Sequence, residues 1–599
     1  MSAARFRFAL VPSTVAALAA SSAEGLVLAE RGVGAVPVVV SAAASPAVKH
    51  AASDYVHYVE LMTGTKPVRM TDAAELPARA LVIGPTRFSP SAGPALGTDG
   101  FRLLVKDGRL FAVGSDVRGA LYAVQEVLER FGGVGWYASW REVVPDRKRF
   151  EVPDDLDDTQ VPAFEMRYTY WADTFGYWRV FGSRLRNNGC VKPPDYGGCH
   201  SRFGGGLRSC HTFDLLIPYA QYGEAHPEYF ALRDGVRYRP KDGRGTQPCL
   251  TNPDVFRIVV SNVLERIRKD PTANLYGVSQ NDNANYCQCP ACAAVDDEEE
   301  SHAGTVIRFV NAVAAEVEKE FPEAVIETLA YVYSRKPPKK TRVRHNVMPC
   351  LCTVECDFLR PFGESRWKSN VAFEDDIRRW SGQTDRLYLW NYCVNFRHYL
   401  HAFPNVQAMA RNYRFFRDSK VRYFFEQGHE QGLHAEFGEL KAWLSAKLMW
   451  NPDQPVAPLL RRFFSGYYGP AAKDVERYFS SLYAHANEGN AVAGIYNAPD
   501  RVYPDSFLDE ADRIWDAAER ATVSVDPGAW TNVVNTRLTT DYTRLHRGYG
   551  SEAQLAAASR RLEAALATGK IRLGESENWN RQDLEAVRRW KRLAGRPVP

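Results

Sequence analysis

At 599 residues the chain is too long for one hydrophobic core and implies several domains. A composition of 45% hydrophobic and 24% charged residues is that of a globular protein and excludes disordered and fibrous classes. Net charge is only +4 from 75 basic and 71 acidic residues, and no basic run is interleaved with aromatics, which argues against a nucleic-acid partner.

At the N-terminus, Arg5 and Arg7 precede FALVPSTVAALAASSAEG, a basic start, a short apolar stretch and a small-residue exit. This pattern predicts export to the periplasm or beyond, with an alanine-rich leader on a cytoplasmic protein as the alternative. No apolar run approaches the roughly 20 residues that span a bilayer, so no membrane span is expected. Residues 24–152 read as a small α/β domain. LVLAERG, VPVVVSA and ALVIGPT are strand-like, and Pro46 to Thr63 is a helix with Ala51, Tyr55, Tyr58 and Leu61 on one face. GFRLLVKDGRLFAVGS predicts a hairpin turning at Asp107-Gly108, followed by a helix that opens at Ser115/Asp116 and stops at Gly132-Gly133. A Pro-rich, charged linker runs from Val144 to Pro162.

Residues 160–432 alternate strand and helix signals, and the predicted fold class is α/β, a (β/α)8 TIM barrel. Nine segments compete for its eight strand places: FEMRYTYW, the Arg184 to Asn188 region, CHTFDLL, EYFALRDG, LYGVSQND, AVIETLAY, VMPCLCTV, RLYLWNY and VRYFFEQ. One of the early segments is therefore expected to be a hairpin or loop. The helix from His302 to Phe321 carries Val306, Val310, Val313 and Val317 on one face, as a βαβ unit requires. Residues 433–599 have a helical period throughout and predict an α-helical domain.

Three late strands end on a carboxylate: Asp282 in YGVSQND, Glu355 in CLCTVEC and Glu426 in RYFFEQG. The C-terminal ends of barrel strands ring one pocket, so these are the candidate catalytic residues, with Glu430 a fourth. Helix capping or pairing with arginine is the alternative use of such groups. Glycosidic cleavage needs a proton donor and a group that stabilises the developing cation, which paired carboxylates supply. Glu355 and Glu426 follow apolar residues (Leu351 and Val354; Phe424 and Phe425), which predicts a raised pKa and the role of acid for one of them. Asp282, flanked by Gln280, Asn281 and Asn283, is expected to stay ionised.

Asn281 is a candidate for orienting a 2-acetamido group, or else a turn residue. His211, Tyr331, Trp390, Asn391 and Tyr392 collect at the same strand ends and are candidate substrate ligands. A sugar ring stacks on aromatic faces, and the partner they suggest is a glycan. The histidines show no HExxH-like pairing and there is no Walker A loop, so no cofactor is expected for catalysis. All eleven cysteines fall between Cys190 and Cys393. Cys287, Cys289 and Cys292 form C-x-C-x-x-C, which can hold a structural zinc with Cys249 or Cys210 as fourth ligand; disulfides or free thiols are the competing account. Nothing in the pattern sets the oligomeric state.

SQNDNANYCQCPAC, HPEYFALRDG, CLTNP, LYLWNY followed by NF, and YYGPAA together resemble bacterial proteins with the domain of unknown function 4838. That group includes glycoside hydrolase family 163, endo-β-N-acetylglucosaminidases acting on N-glycans. The resemblance spans roughly Pro162 to Ala471 and implies a retaining hydrolase assisted by the substrate's acetamido group, with Asp282, Glu355 and Glu426 as strand-end candidates. It also implies an Asp where this chain has Asn391. An exo-acting α-glucuronidase-like enzyme, reading an acidic sugar through Arg167 or Arg397, is the second reading. A silent glycan-binding protein that keeps the aromatic platform is the third.

Overall fold

The structure, a computed structural model, describes residues 25–91, 96–175, 179–189, 192–237, 240, 245–488, 491–497 and 502–594. The leader around Arg5 and Arg7, and Cys190, lie outside the described residues. The chain divides into two compact units, Met1–Val134 with Val144–Gln160, and Gly135–Val143 with Val161–Pro599.

In the first unit β1 (Leu26–Glu30), β2 (Val38–Val40), α1 (Pro46–Thr63), β3 (Arg69–Thr71), β4 (Ala80–Ile83), β5 (Phe101–Lys106), β6 (Arg109–Gly114), α2 (Gly119–Glu126), β7 (Arg149–Val152) and β8 (Asp157–Gln160) follow in order. A six-stranded mixed sheet has the order β8-β5-β6-β4-β2-β3, and β1 pairs with β7. Helix α1 starts where expected because Ser45 accepts from the Val48 N–H and Pro46 supplies the first-turn φ; Gly64 ends it at φ 70°. Its buried face includes Ala51, Tyr55 and Tyr58 but not Leu61, which is 51% exposed. A stripe stepping by 3.6 residues has turned towards Met62 by that point. Asp107, at φ 51°, and Gly108 turn the β5–β6 hairpin.

The second unit is built on six parallel strands: β9 (Met166–Tyr170), β10 (Leu275–Gly277), β11 (Val325–Ala330), β12 (Val347–Cys352), β13 (Leu387–Tyr392) and β14 (Val421–Gln427). Their order is β9-β14-β13-β12-β11-β10. Helices alternate with them: α3 (Pro253–Lys269), α4 (Pro290–Glu299), α5 (Ala303–Glu318), α6 (Lys368–Ser381) and α7 (Val406–Asp418). The central strands are buried on both faces, which is why they read as continuous apolar runs. Inside the curl Met166, Leu329, Met348, Cys350, Tyr388 and Phe425 pack together. Outside, the expected face of α5 (Val306, Val310, Val313, Val317) meets α3 and β11.

Three early strand candidates are corrected. CHTFDLL contains a short helix, Phe213–Leu216, and Arg184 ends another; EYFALRDG contributes only the two-residue arm Leu232–Arg233 of a separate hairpin. Two irregular segments span the distance from β9 to β10 instead. The Arg167 N–H donates to Asn188 Oδ1 at 2.7 Å, the His200 N–H to the Asn188 carbonyl at 2.8 Å, and the Gly204 N–H to the Leu275 carbonyl at 3.0 Å. Isolated backbone bonds and the Asn188 amide take the place of a continuous ladder there, so no strand-like apolar pattern is needed. From Gly438 to Ala594 the regular elements are helical. Among the described residues no helix is long and apolar enough to cross a membrane.

Candidate active site

Beyond the C-terminal ends of β11 to β14 lies a pocket of about 120 Å³. Its floor holds Leu329, Cys210 and Cys352, and its walls are Trp390, Tyr392, Phe396 and Tyr496, with the polar groups His211, Asp282, Tyr331, Gln427 and Glu575. Alternation along each strand decides which side chains enter it. On β13, Trp390 and Tyr392 face the pocket; on β14, Gln427 does, and its Oε1 accepts from Trp390 Nε1 at 2.8 Å.

The residues between them face the other way. Asn391 Nδ2 donates to both Glu426 oxygens at 3.1 Å, Tyr413 of α7 donates its O–H to Glu426 at 2.7 Å, and Asn391 Oδ1 accepts from Thr353. Glu426 is completely buried, and that burial pushes its pKa up to about 7 against the pull of these donors. Glu426 and Asn391, expected as acid and substrate ligand, thus lie in the helix layer and not in the pocket. Glu355 is also outside the lining. It is 43% exposed and ion-paired with Arg335, which binds Asp376 through Nε at 2.8 Å, so the apolar surroundings expected for it are absent.

Asp282 is in the pocket. Its side chain is 69% exposed, accepts from the Tyr331 O–H at 3.2 Å, and has His211 Nε2 at 3.8 Å. His211 Nδ1 lies 2.9 Å from the Gln280 carbonyl, which can only accept, so Nδ1 donates to it and Nε2 is the ring nitrogen that faces Asp282. His211 holds this position with φ at 52°. Asn281 is consumed by scaffolding: its Oδ1 accepts from the Asp214 N–H at 2.9 Å and its Nδ2 donates to the Thr246 carbonyl at 2.8 Å. It does not reach the pocket. Arg167 spends its guanidinium on the carbonyls of Phe164 and Arg186, and Arg397 pairs with Asp583 at 2.8 Å, so neither is a pocket cation.

Glu575 is the second carboxyl in the lining. Burial raises its pKa, and the charge of Asp282 raises it further. It reaches the pocket because the loop after β13 binds two C-terminal segments. The Phe396 N–H donates to the Ile495 carbonyl at 2.7 Å and the Glu575 N–H to the Phe396 carbonyl at 2.8 Å. One layer below, Glu327 of β11 is fully buried inside the curl, with Ser279 donating to it at 3.0 Å and burial holding its pKa well above the carboxylate range. A separate buried cluster brings together the sulfurs of Cys249, Cys287, Cys289 and Cys292. Cys210 lies in the pocket and is not part of it.

The family profile of the domain of unknown function DUF4838 matches residues 136–481, more than half of the chain. The chain belongs to the DUF4838 family. Among solved structures it is similar to a family GH115 4-O-methyl-α-glucuronidase, BtGH115A, with specificity for decorated arabinogalactans, at 12% identity and a TM-score of 0.56 over 94% of this chain and 77% of that one. It is also similar to the family 89 glycoside hydrolase from Clostridium perfringens, at 9% identity and a TM-score of 0.49, covering 86% and 65%. The GH115 likeness shows a shared fold. No curated protein matches the chain.

The DUF4838 match ends at residue 481, so it contains Asp282, His211, Tyr331, Trp390 and Tyr392, whereas Tyr496 and Glu575 join the pocket from beyond it. Sequence reasoning missed both. Glu575 lies in RLGESEN between two helical patterns, with no strand before it. The one usable signal was the NF pair after LYLWNY, whose backbone receives both segments.

Proposed function

We propose that this DUF4838 protein is a glycoside hydrolase acting on N-acetylglucosamine-containing glycans. The observation that carries the reading is the shared pocket of Asp282 and Glu575 between aromatic walls. A carboxyl that burial and a like charge bias towards its protonated form is suited to give a proton to the leaving glycosidic oxygen. Asp282, exposed and held by Tyr331, serves the developing cation.

An acetamido group presents one donor and one acceptor. Asp282 can accept from its N–H while the Tyr331 O–H turns to its carbonyl, which would let that carbonyl attack the anomeric carbon in a retaining reaction. Trp390, Tyr392 and Tyr496 offer faces for sugar rings. The resemblance to family 163 supports the same substrate class and endo cleavage. On this reading the six parallel strands are six places of a (β/α)8 barrel, with the irregular segments at Asn188 and Phe203 filling the remaining two.

The test is mass-spectrometric product analysis after incubation with N-glycoproteins and, in parallel, glucuronic-acid oligosaccharides. Release of N-acetylglucosamine-terminated glycans, strongly reduced in the Asp282→Asn variant, is the expected result. Release of glucuronic acid alone, or no product from either, would overturn the proposal.

A further inference from the structure

We propose that Cys249, Cys287, Cys289 and Cys292 bind one zinc ion whose role is to hold the loop that carries Asp282. The four sulfurs all lie within 4.8 Å of one another, and each cysteine is buried. Cys249 Sγ is 3.7 Å from Cys289 Sγ and 3.9 Å from Cys292 Sγ. A zinc ion with four thiolates at about 2.3 Å sets tetrahedral edges of about 3.8 Å. Among the described residues, Ala231 and Leu232 complete the small core cluster that these four cysteines dominate.

The surroundings suit a thiolate centre. The Leu232 N–H donates to Cys287 Sγ at 3.3 Å, Thr251 Oγ1 lies 3.2 Å from Cys292 Sγ, and Arg237 Nη1 lies 3.9 Å from Cys287 Sγ. Donors and a cation of this kind offset the two excess negative charges of zinc with four thiolates. On binding, each thiol gives its proton to solvent, four S–H bonds being exchanged for four Zn–S bonds with no change of oxidation state.

Two chain segments meet at the cluster: one brings Cys249, the other follows β10. Gln247, two residues before Cys249, accepts from the Asn281 N–H at 3.0 Å and donates to the carbonyls of Asn281 and Asn283 at 2.9 and 3.1 Å. The backbone on both sides of Asp282 is thus gripped by the segment that the ion would anchor. Loss of the ion frees Cys249 and Gln247 together. The metal centre itself stands on geometry alone and does not depend on the proposed reaction.

The experiment is elemental analysis of the purified full-length protein, followed by release with a mercurial reagent monitored by a zinc-sensitive dye. Amide exchange over residues 278–292 and over β12 to β14 is recorded before and after release. The expected result is about one zinc per chain, released on thiol modification, with exchange rising at least tenfold in 278–292 and unchanged in the strands. Cys289→Ser and Cys292→Ser should each lower zinc content below half. Iron in place of zinc, a disulfide among the four, or a metal-free protein with four alkylatable thiols would overturn the proposal. Release of zinc without a change of exchange in 278–292 would overturn the positioning role.

Discussion

Glu426 and Glu575 are both carboxyls whose pKa is raised chiefly by burial, and they occupy opposite situations. Glu426 is sealed in the helix layer by Asn391 and Tyr413, with none of its surface accessible. Glu575 lines an open pocket together with an exposed Asp282. The contrast teaches that a raised pKa marks low dielectric, not function. What distinguishes an acid that can work is access to a substrate atom.

The most severe way to break this comparison is Glu575→Gln. If Glu575 is the proton donor, kcat on a natural glycan falls by about a hundredfold or more, while an aryl glycoside with a good leaving group loses far less, because it needs little protonation. Steady-state kinetics on the two substrates decides it. Full activity on the glycan would remove Glu575 from the mechanism.

Asp282 sharpens the comparison through pH. Its negative charge helps raise the pKa of Glu575, and activity requires Glu575 protonated, so the alkaline limb of the kcat profile reports that group. Asp282→Asn removes the like charge, and the residual activity should lose its alkaline limb at lower pH than the parent. A limb that stays in place would show that the two carboxyls do not feel each other. Trp390→Ala should act on binding, raising KM about tenfold on the scale of a lost aromatic contact, with kcat affected less. An unchanged KM for a chitobiose-containing substrate would remove Trp390 from the sugar platform.

The legible part of the molecule was the part whose physics is local. The first unit's helix and hairpin follow from Ser45, Gly64 and Asp107-Gly108, which act within a turn. The five late strands, from LYGVSQND onward, appear as apolar runs because a parallel strand is buried on both faces. The same property hid the orientation of their side chains. LYLWNY and RYFFEQ carry no polar–apolar alternation, so nothing in them shows that Trp390 and Gln427 enter the pocket while Asn391 and Glu426 leave it. The strand ends therefore located the mouth, and Asp282, His211, Tyr331, Trp390 and Tyr392 do line it. Glu575 was illegible because a hydrogen bond to Phe396, in a loop far back along the chain, delivers it.

Glu426 provides the smallest effect and the cleanest control. Its pKa in the folded protein, about 7, lies above the ordinary value of 4.5, so between these two values the folded state holds a proton that the unfolded state has lost. Stability contributed by this group is fully present below about pH 4.5 and is lost as pH rises through about 7. Asp173 and Glu430, also pushed up to about 7 by burial, slope the same way, while His401 and His429, pushed down to about 3, slope the opposite way up to about pH 6.5, so the share that belongs to Glu426 is a fall read from the difference between parent and variant. Glu426→Gln cannot titrate, and this share should be missing from the variant. It also turns an amide N–H₂ towards Asn391 Nδ2, losing one acceptor for a buried donor, which costs about 1–3 kcal/mol. Turnover should change by less than about threefold, since no atom of Glu426 faces the pocket and truncation of a group outside the site removes no interaction made in the transition state. Thermal unfolding at pH 5, 6 and 7 beside kinetics on the same preparation separates the two effects. A folded Glu426→Gln protein with kcat reduced a hundredfold would mean that the helix-layer carboxyl, and not Glu575, is coupled to the chemistry.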